Sequence, residues 1–169
     1  MTQTVPPQAH PPFDDKLIDD LLQWPESSQF ECKRLAGKLT SVLESVVALA
    51  NSEGGIIALG FEDPDKAKGR ARVFGIQENS TNWDELRRQL QSRITEPNLL
   101  PCSPVEIGCT LRDGTMGSVV FLKIEKSNRI HSIVDDGTWV RLEKGNKELT
   151  ANEINDLSFA RGTISVEAQ

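Results

Sequence analysis

Apolar residues recur along this chain with two periods, and the switches between them mark out its elements. Phe13, Leu17, Leu21 and Trp24 fall at spacings of four, four and three, which predicts a short amphipathic helix closed by Pro25. Leu39, Val42, Leu43, Val46, Val47 and Ala50 share one helical stripe. Thr40 or Ser41 can start that helix, the latter with Glu44 in capping-box spacing, and Gly54-Gly55 stops it and lets backbone approach closely. The run IIALGF that follows is apolar without alternation, the pattern of a short strand buried on both faces. EDPDKAKGRARVFGI reads as a turn and charged loop leading into another short strand.

Trp83, Leu86, Leu90 and Ile94 line up on a further helix that EPNLLP breaks. VEIGCTLRDGTMGSVVFLKIE reads as two strands around a glycine turn, and IHSIV with TWVRLE as a second pair joined by DDG. The last helix has Thr150 and Glu153 in capping-box register and Gly162 as its stop. The order predicts one α/β (α+β) domain over residues 13–162, with helices packed on a mixed β-sheet. Residues 1–12, rich in proline and polar groups, read as a disordered leader, and 163–169 as a C-terminal tail.

Composition narrows the class. With 169 residues there is enough chain for one domain with a real core. No apolar run approaches the roughly 20 residues needed to span a bilayer, and the N-terminus lacks a secretory pattern, so a cytoplasmic protein is expected. Three cysteines, Cys32, Cys102 and Cys109, without C-x-x-C spacing read as buried thiols rather than a disulfide or zinc framework. A net charge of −6 argues against broad coating by nucleic acid. The charge is uneven, however: Lys66, Lys68, Arg70 and Arg72 form a run without an acid, either a phosphate-contacting loop or a solvated surface loop.

Candidate chemistry gathers on ESSQFECK. If Phe30 faces a core, alternation puts Glu31 and Lys33 together on the opposite strand face. Glu62 and Asp63 follow the buried strand directly, where functional side chains of α/β sheets emerge. Carboxylates brought together need a cation or shared protons. Glu26, Glu31 and the acidic pair Glu62 and Asp63 could hold Mg²⁺ or Mn²⁺, with Lys33 acting on a scissile phosphate or orienting the attacking water. The competing reading is a solvated E-x-K strand edge. Walker-type, dinucleotide and nucleophile-elbow motifs are absent, Cys–His catalysis would rest on His131 or His10, and with so few aromatics an extensive base-stacking platform is disfavoured.

Several blocks together resemble the Schlafen AlbA-type domain family. ESSQFECK resembles its E-x-x-x-x-E-[FY]-K opening, VVALANSEGGIIALGFED its second block, and HSIVDDGTWVRLEKGNKELTANEINDL its closing block. FGI and TEPNLLP resemble the elements between them, so the likeness covers roughly residues 24–160. Cys32 stands where an aromatic is usual, Leu49 and Ser52 depart from the second block, and Glu143-Lys144 precede the closing glycine.

The resemblance implies a nucleic-acid-processing domain, in some members a metal-dependent endoribonuclease that cuts structured RNA such as tRNA with three carboxylates. By position these are Glu26, Glu31 and Glu62 or Asp63, with Lys33 as the motif lysine and Mg²⁺ or Mn²⁺ as cofactor. Lys66, Lys68, Arg70 and Arg72 would contact the nucleic-acid backbone, RNA more readily than DNA, and a homodimer would build the basic valley that paired lobes form elsewhere in the family. The alternatives are a non-catalytic DNA- or RNA-binding regulatory or defence module, and a protein-interaction domain.

Overall fold

The computed structural model describes residues 11–143 and 145–162. All of the expected leader except Pro11 and Pro12, together with Lys144 and the tail 163–169, lies outside the described residues.

A four-stranded sheet organises the rest. Strand β1 (Phe30–Lys33) lies parallel to β2 (Gly55–Leu59), which pairs antiparallel with β4 (Met116–Ile124), and β4 with β3 (Cys102–Thr110). The continuous apolar run thus occupies a central strand, as its pattern predicts. Alternation sorts the strands onto two cores. Ile57, Leu59, Val120, Leu122 and Ile124 face helices α2 (Leu39–Ala50) and α3 (Ser80–Ser92). Phe30, Cys32, Ala58, Val119 and Phe121 face the other way, toward Ile18 and Leu21 of α1 (Asp15–Leu21). A small ribbon of β5 (Trp139–Arg141) and β6 (Asn146–Glu148) packs beside α2, and α4 (Ala151–Ala160) closes the described chain. The Thr150–Glu153 capping box of α4 is formed.

Four local expectations are corrected. Helix α1 starts from Asp14, whose carboxylate accepts from the Leu17 N–H at 2.9 Å, and buries Ile18 and Leu21. Phe13 and Trp24 stay half-exposed: Phe13 bridges to Gly108 on the edge of β3, and Trp24 packs edge-on against Phe30. At α2 the predicted capping box is absent. Lys38 occupies the cap without a side-chain bond, and Glu44 is drawn instead toward Asp136.

VFGI forms no strand. The chain turns through a 3₁₀ segment, Gly69–Arg72, and makes a single bridge from Phe61 to Val73, because Arg72 swings inward beneath the loop. IHSIV does not pair with TWVRLE either: β5 takes β6 as its partner. The backbone of 131–133 is already committed. His131 N–H donates to Asn51 Oδ1, Ser132 N–H to Thr95 Oγ1, and Ile133 bridges Ile94 and Gly137.

The junction after α2 explains its two glycines. Gly54 N–H returns to the Leu49 carbonyl, with φ at +77°. At Gly55 (φ +153°) a Cβ would come within 2.3 Å of the Gln29 carbonyl oxygen. Only glycine lets β2 start this close to the segment that leads into β1.

Candidate functional site

Alternation along β1 holds: Phe30 and Cys32 face one core, and Glu31 and Lys33 project to the opposite face. That face is not wet. Helix α2 and the β5–β6 ribbon cover it, leaving Glu31 at 9% exposure. Its Oε2 pairs with Lys33 Nζ at 2.8 Å, and its Oε1 accepts from Arg141 Nη1 at 2.5 Å and Ser45 Oγ at 2.9 Å. Burial works to raise the Glu31 pKa, but Lys33, Arg141 and Ser45 outweigh it and hold the carboxyl below its usual range. Arg141 also reaches Asn146 and the Ser27 carbonyl, which locks β6 and the approach to β1 onto the same charge.

Glu26 does something different. Its Oε2 accepts from the backbone N–H of Cys32 at 2.9 Å, and beside it Ser27 N–H donates to the Phe30 carbonyl. Together they satisfy the outer edge of β1. Glu62 and Asp63 emerge beyond β2 as expected, but Glu62 is bound to Arg34 at 3.0 Å and accepts the Asp63 N–H. Those bonds, first the Asp63 N–H and then Arg34, keep the Glu62 carboxyl low. Asp63 turns onto its own loop and accepts the Asp65 N–H.

Each predicted acid therefore has its own donor. Among the described residues no three His, Cys, Asp or Glu side chains converge in an arrangement that could hold a metal ion. In this arrangement Glu26, Glu31, Glu62 and Asp63 are not brought together as a Mg²⁺ or Mn²⁺ set.

The basic run also divides. Arg72 is buried and donates to the Glu62 and Leu22 carbonyls and to Cys32 Sγ. Arg70 ties the loop to Asp15 and Asp19 of α1 at 3.2 and 2.5 Å. Lys66 is exposed, and exposed Lys68 closes on the Pro64 carbonyl. Two of the four expected backbone contacts thus hold the loop in place, and two lie at its surface.

The structure does bring residues together at the carboxyl ends of the parallel strands β1 and β2. A cleft of about 340 Å³ is lined there by Lys33, Arg34, Lys38, Lys66, Glu62 and Asp63. Lys33 is paired with Glu31, and Arg34 with Glu62 and Glu78, while among the described residues Lys38 and Lys66 have no ion pair. Those two exposed lysines carry the charge that the cleft can offer an anion, despite the acidic total. Arg34 and Lys38 went unremarked in the sequence; the signal was cations following directly on the candidate strand.

Other chemistry is closed off. Burial pushes the Cys32 and Cys102 thiols up to about 12 and Cys109 to about 11, and all three are free. They match the thiol reading, although Cys102 is only half-buried. His131 is fully buried between Ser127 Oγ and the Thr95 carbonyl, so it is an interior tie, and His10 lies outside the described residues.

Burial, with Asp136 hydrogen-bonded beside it, pushes Glu44 up to about 7. A carboxyl raised in the folded state contributes stability below its unfolded value, near 4.5, and loses it as pH rises through about 7. Urea midpoints of the wild type should fall between pH 5 and pH 8, and Glu44→Gln should flatten that fall. Parallel slopes for the two proteins would remove Glu44 as its source.

Comparison with known proteins agrees with this architecture. The sequence profile of the family described as Schlafen, AlbA_2 matches residues 26–150. No curated protein matches the chain. Among solved structures, the crystal structure of the DIP2311 protein from Corynebacterium diphtheriae is similar, with a TM-score of 0.54 and 17% sequence identity. The match covers 79% of this chain and 27% of that one, so the likeness is to a minor part of a longer protein and is one of fold. Among the described residues no helix is long and apolar enough to cross a membrane. The family match takes in β1, the cleft and the β5–β6 ribbon alike, and the chain belongs to the Schlafen AlbA_2 family.

Proposed function

We propose that this domain binds nucleic acid through its phosphate backbone, in the cleft at the ends of β1 and β2. The observation that carries this reading is the exposed pair Lys38 and Lys66 at one opening, beside the ion-paired Lys33 and Arg34, in a protein otherwise acidic. Phosphate contacts of this kind fix position and carry no sequence information. RNA is the favoured ligand on the family resemblance.

Binding should weaken as salt rises, whether or not divalent ions are present. Replacing both Lys38 and Lys66 with glutamine should lower the slope of log K against log salt by about 1.4, since each contact to a single strand contributes about 0.7. Anisotropy titrations of labelled RNA and DNA at several salt concentrations measure this. An unchanged slope places the phosphates elsewhere.

A second reading, a metal-dependent endoribonuclease acting on tRNA-like RNA, draws support from Glu62 and Asp63 lining the same cleft as Lys33. It requires Glu62 to leave Arg34. Cleavage of labelled tRNA with Mn²⁺ or Mg²⁺, stopped by EDTA and by Asp63→Asn, would carry it; binding without cutting leaves the first reading alone. A homodimer that widens the basic opening belongs to either reading, and sedimentation with and without RNA tests it. Neither binding nor cutting would point to the protein-interaction alternative.

A further inference from the structure

Beside the cleft, two arginines pack on Phe74. Arg34 Cζ sits 3.7 Å from the centre of its ring and Arg112 Cζ 4.3 Å. Both guanidiniums thus pack on the one ring.

The two arginines differ in charge balance. Arg34, which also lines the cleft, is held by Glu78 on Nε and Nη2 and by Glu62 on Nη1. Arg112 is exposed, and its Nε donates to the Ala71 carbonyl at 3.2 Å. Among the described residues its two Nη groups have neither a hydrogen-bond nor an ion-pair partner. An exposed guanidinium is thus held against an aromatic ring and by one backbone bond, with its remaining donors open.

Guanidinium planes stack on nucleobases, and such stacking is available only when the base is unpaired. We propose that the outer face of Arg112 is a stacking platform for an unpaired nucleobase, which makes single-stranded segments the preferred ligand of the domain. This rests on the cleft as the phosphate site: Arg34 lines that cleft and shares the Phe74 ring with Arg112, so the platform lies beside a strand whose phosphates meet Lys38 and Lys66. The few aromatics of the sequence do not count against it, because the exposed surface of the stack is an arginine. Duplex nucleic acid, whose bases are already stacked, can use only the charge of Arg112.

The test compares affinities for single-stranded and fully duplexed oligonucleotides, each as RNA and as DNA, for the full chain and its variants. Arg112→Lys keeps the charge and loses the plane. It should weaken single-strand binding about ten-fold and leave duplex binding within about two-fold, with an unchanged melting temperature because Arg112 is exposed. Arg112→Ala, which loses the charge too, should weaken single-strand binding at least as much and also weaken duplex binding. Equal losses of Arg112→Lys on both forms, or none on single strands, overturn the platform. Lys38→Gln with Lys66→Gln tests the cleft separately, since it should weaken both forms; if it weakens neither, the cleft reading fails while the result for Arg112→Lys still decides the platform. A wild-type protein that binds no nucleic acid overturns both.

Discussion

Glu31→Ala should cost this protein about 3–5 kcal/mol of stability, enough to unfold a domain of ordinary stability at moderate urea. The side chain of Arg141 is 2% exposed and its Nη1 meets Glu31 at 2.5 Å. Removing the carboxylate leaves that guanidinium buried and uncompensated, strips Ser45 Oγ of its acceptor and leaves Lys33 without its ion pair. Glu31→Gln should fall between Ala and wild type, because an amide oxygen can still accept from Ser45. Joining Glu31→Ala to Arg141→Ala should cost clearly less than the two changes added together, since the second mutation removes the stranded charge. A wild-type urea midpoint for Glu31→Ala would refute this account and return Glu31 to a solvated face. The expectation also governs functional work. A nucleic-acid phenotype of Glu31→Ala reports catalysis only if the variant is shown to be folded, and Lys38, Lys66 and Asp63 are the cleaner positions.

Asn51→Ala should come next, with a loss of about 3–4 kcal/mol, because several buried backbone groups would lose their partners at about 1–3 kcal/mol each. Asn51 is 1% exposed at the end of α2. Its Nδ2 donates to the His131 and Trp139 carbonyls at 2.8 and 2.9 Å, and its Oδ1 accepts the His131 N–H at 2.8 Å. One side chain thereby fastens the segment before β5 to the end of α2. Hydrogen exchange should show β5 and β6 losing protection before β2 and β4 in this variant. A loss under about 1 kcal/mol, or uniform loss of protection, would mean that the ribbon is held mainly by the Glu31–Arg141 pair.

These two residues show where the sequence was readable and where it was not. The span of α2, β2 and the β3–β4 hairpin follow from local periodicity and the α4 cap from cap chemistry, while the start of α2 does not follow its predicted capping box. Alternation also placed Glu31 and Lys33 on one face. It said nothing of what covers that face, since Arg141 lies 110 residues away in the chain. The basic run failed for a related reason. Four cations adjacent in sequence were separated by the 3₁₀ turn, which sent Arg72 inward and Arg70 to α1. The pairing of 131–134 was overridden by Asn51 and Thr95, distant residues that claim its backbone first. Asn51 itself sat in a quoted motif, yet its role is visible only once its three partners are in place.

The bonds at the two margins of the sheet have a consequence for how copies of this domain meet. At β1, Glu26 and Ser27 occupy the outward-facing backbone groups of Cys32 and Phe30. At β3, Gly108 is paired with Pro12 and Asp14, Thr110 N–H is taken by Asp15, and Pro104 has no N–H to offer. Exposed strand margins are templates for edge-to-edge growth and aggregation. Here both are stoppered along much of their length, by a glutamate at one end of the sheet and by the segment entering α1 at the other. Glu26→Ala should therefore show itself first as concentration-dependent association during refolding, and two copies that pair in the native state will do so through side-chain surfaces rather than by extending one sheet across both.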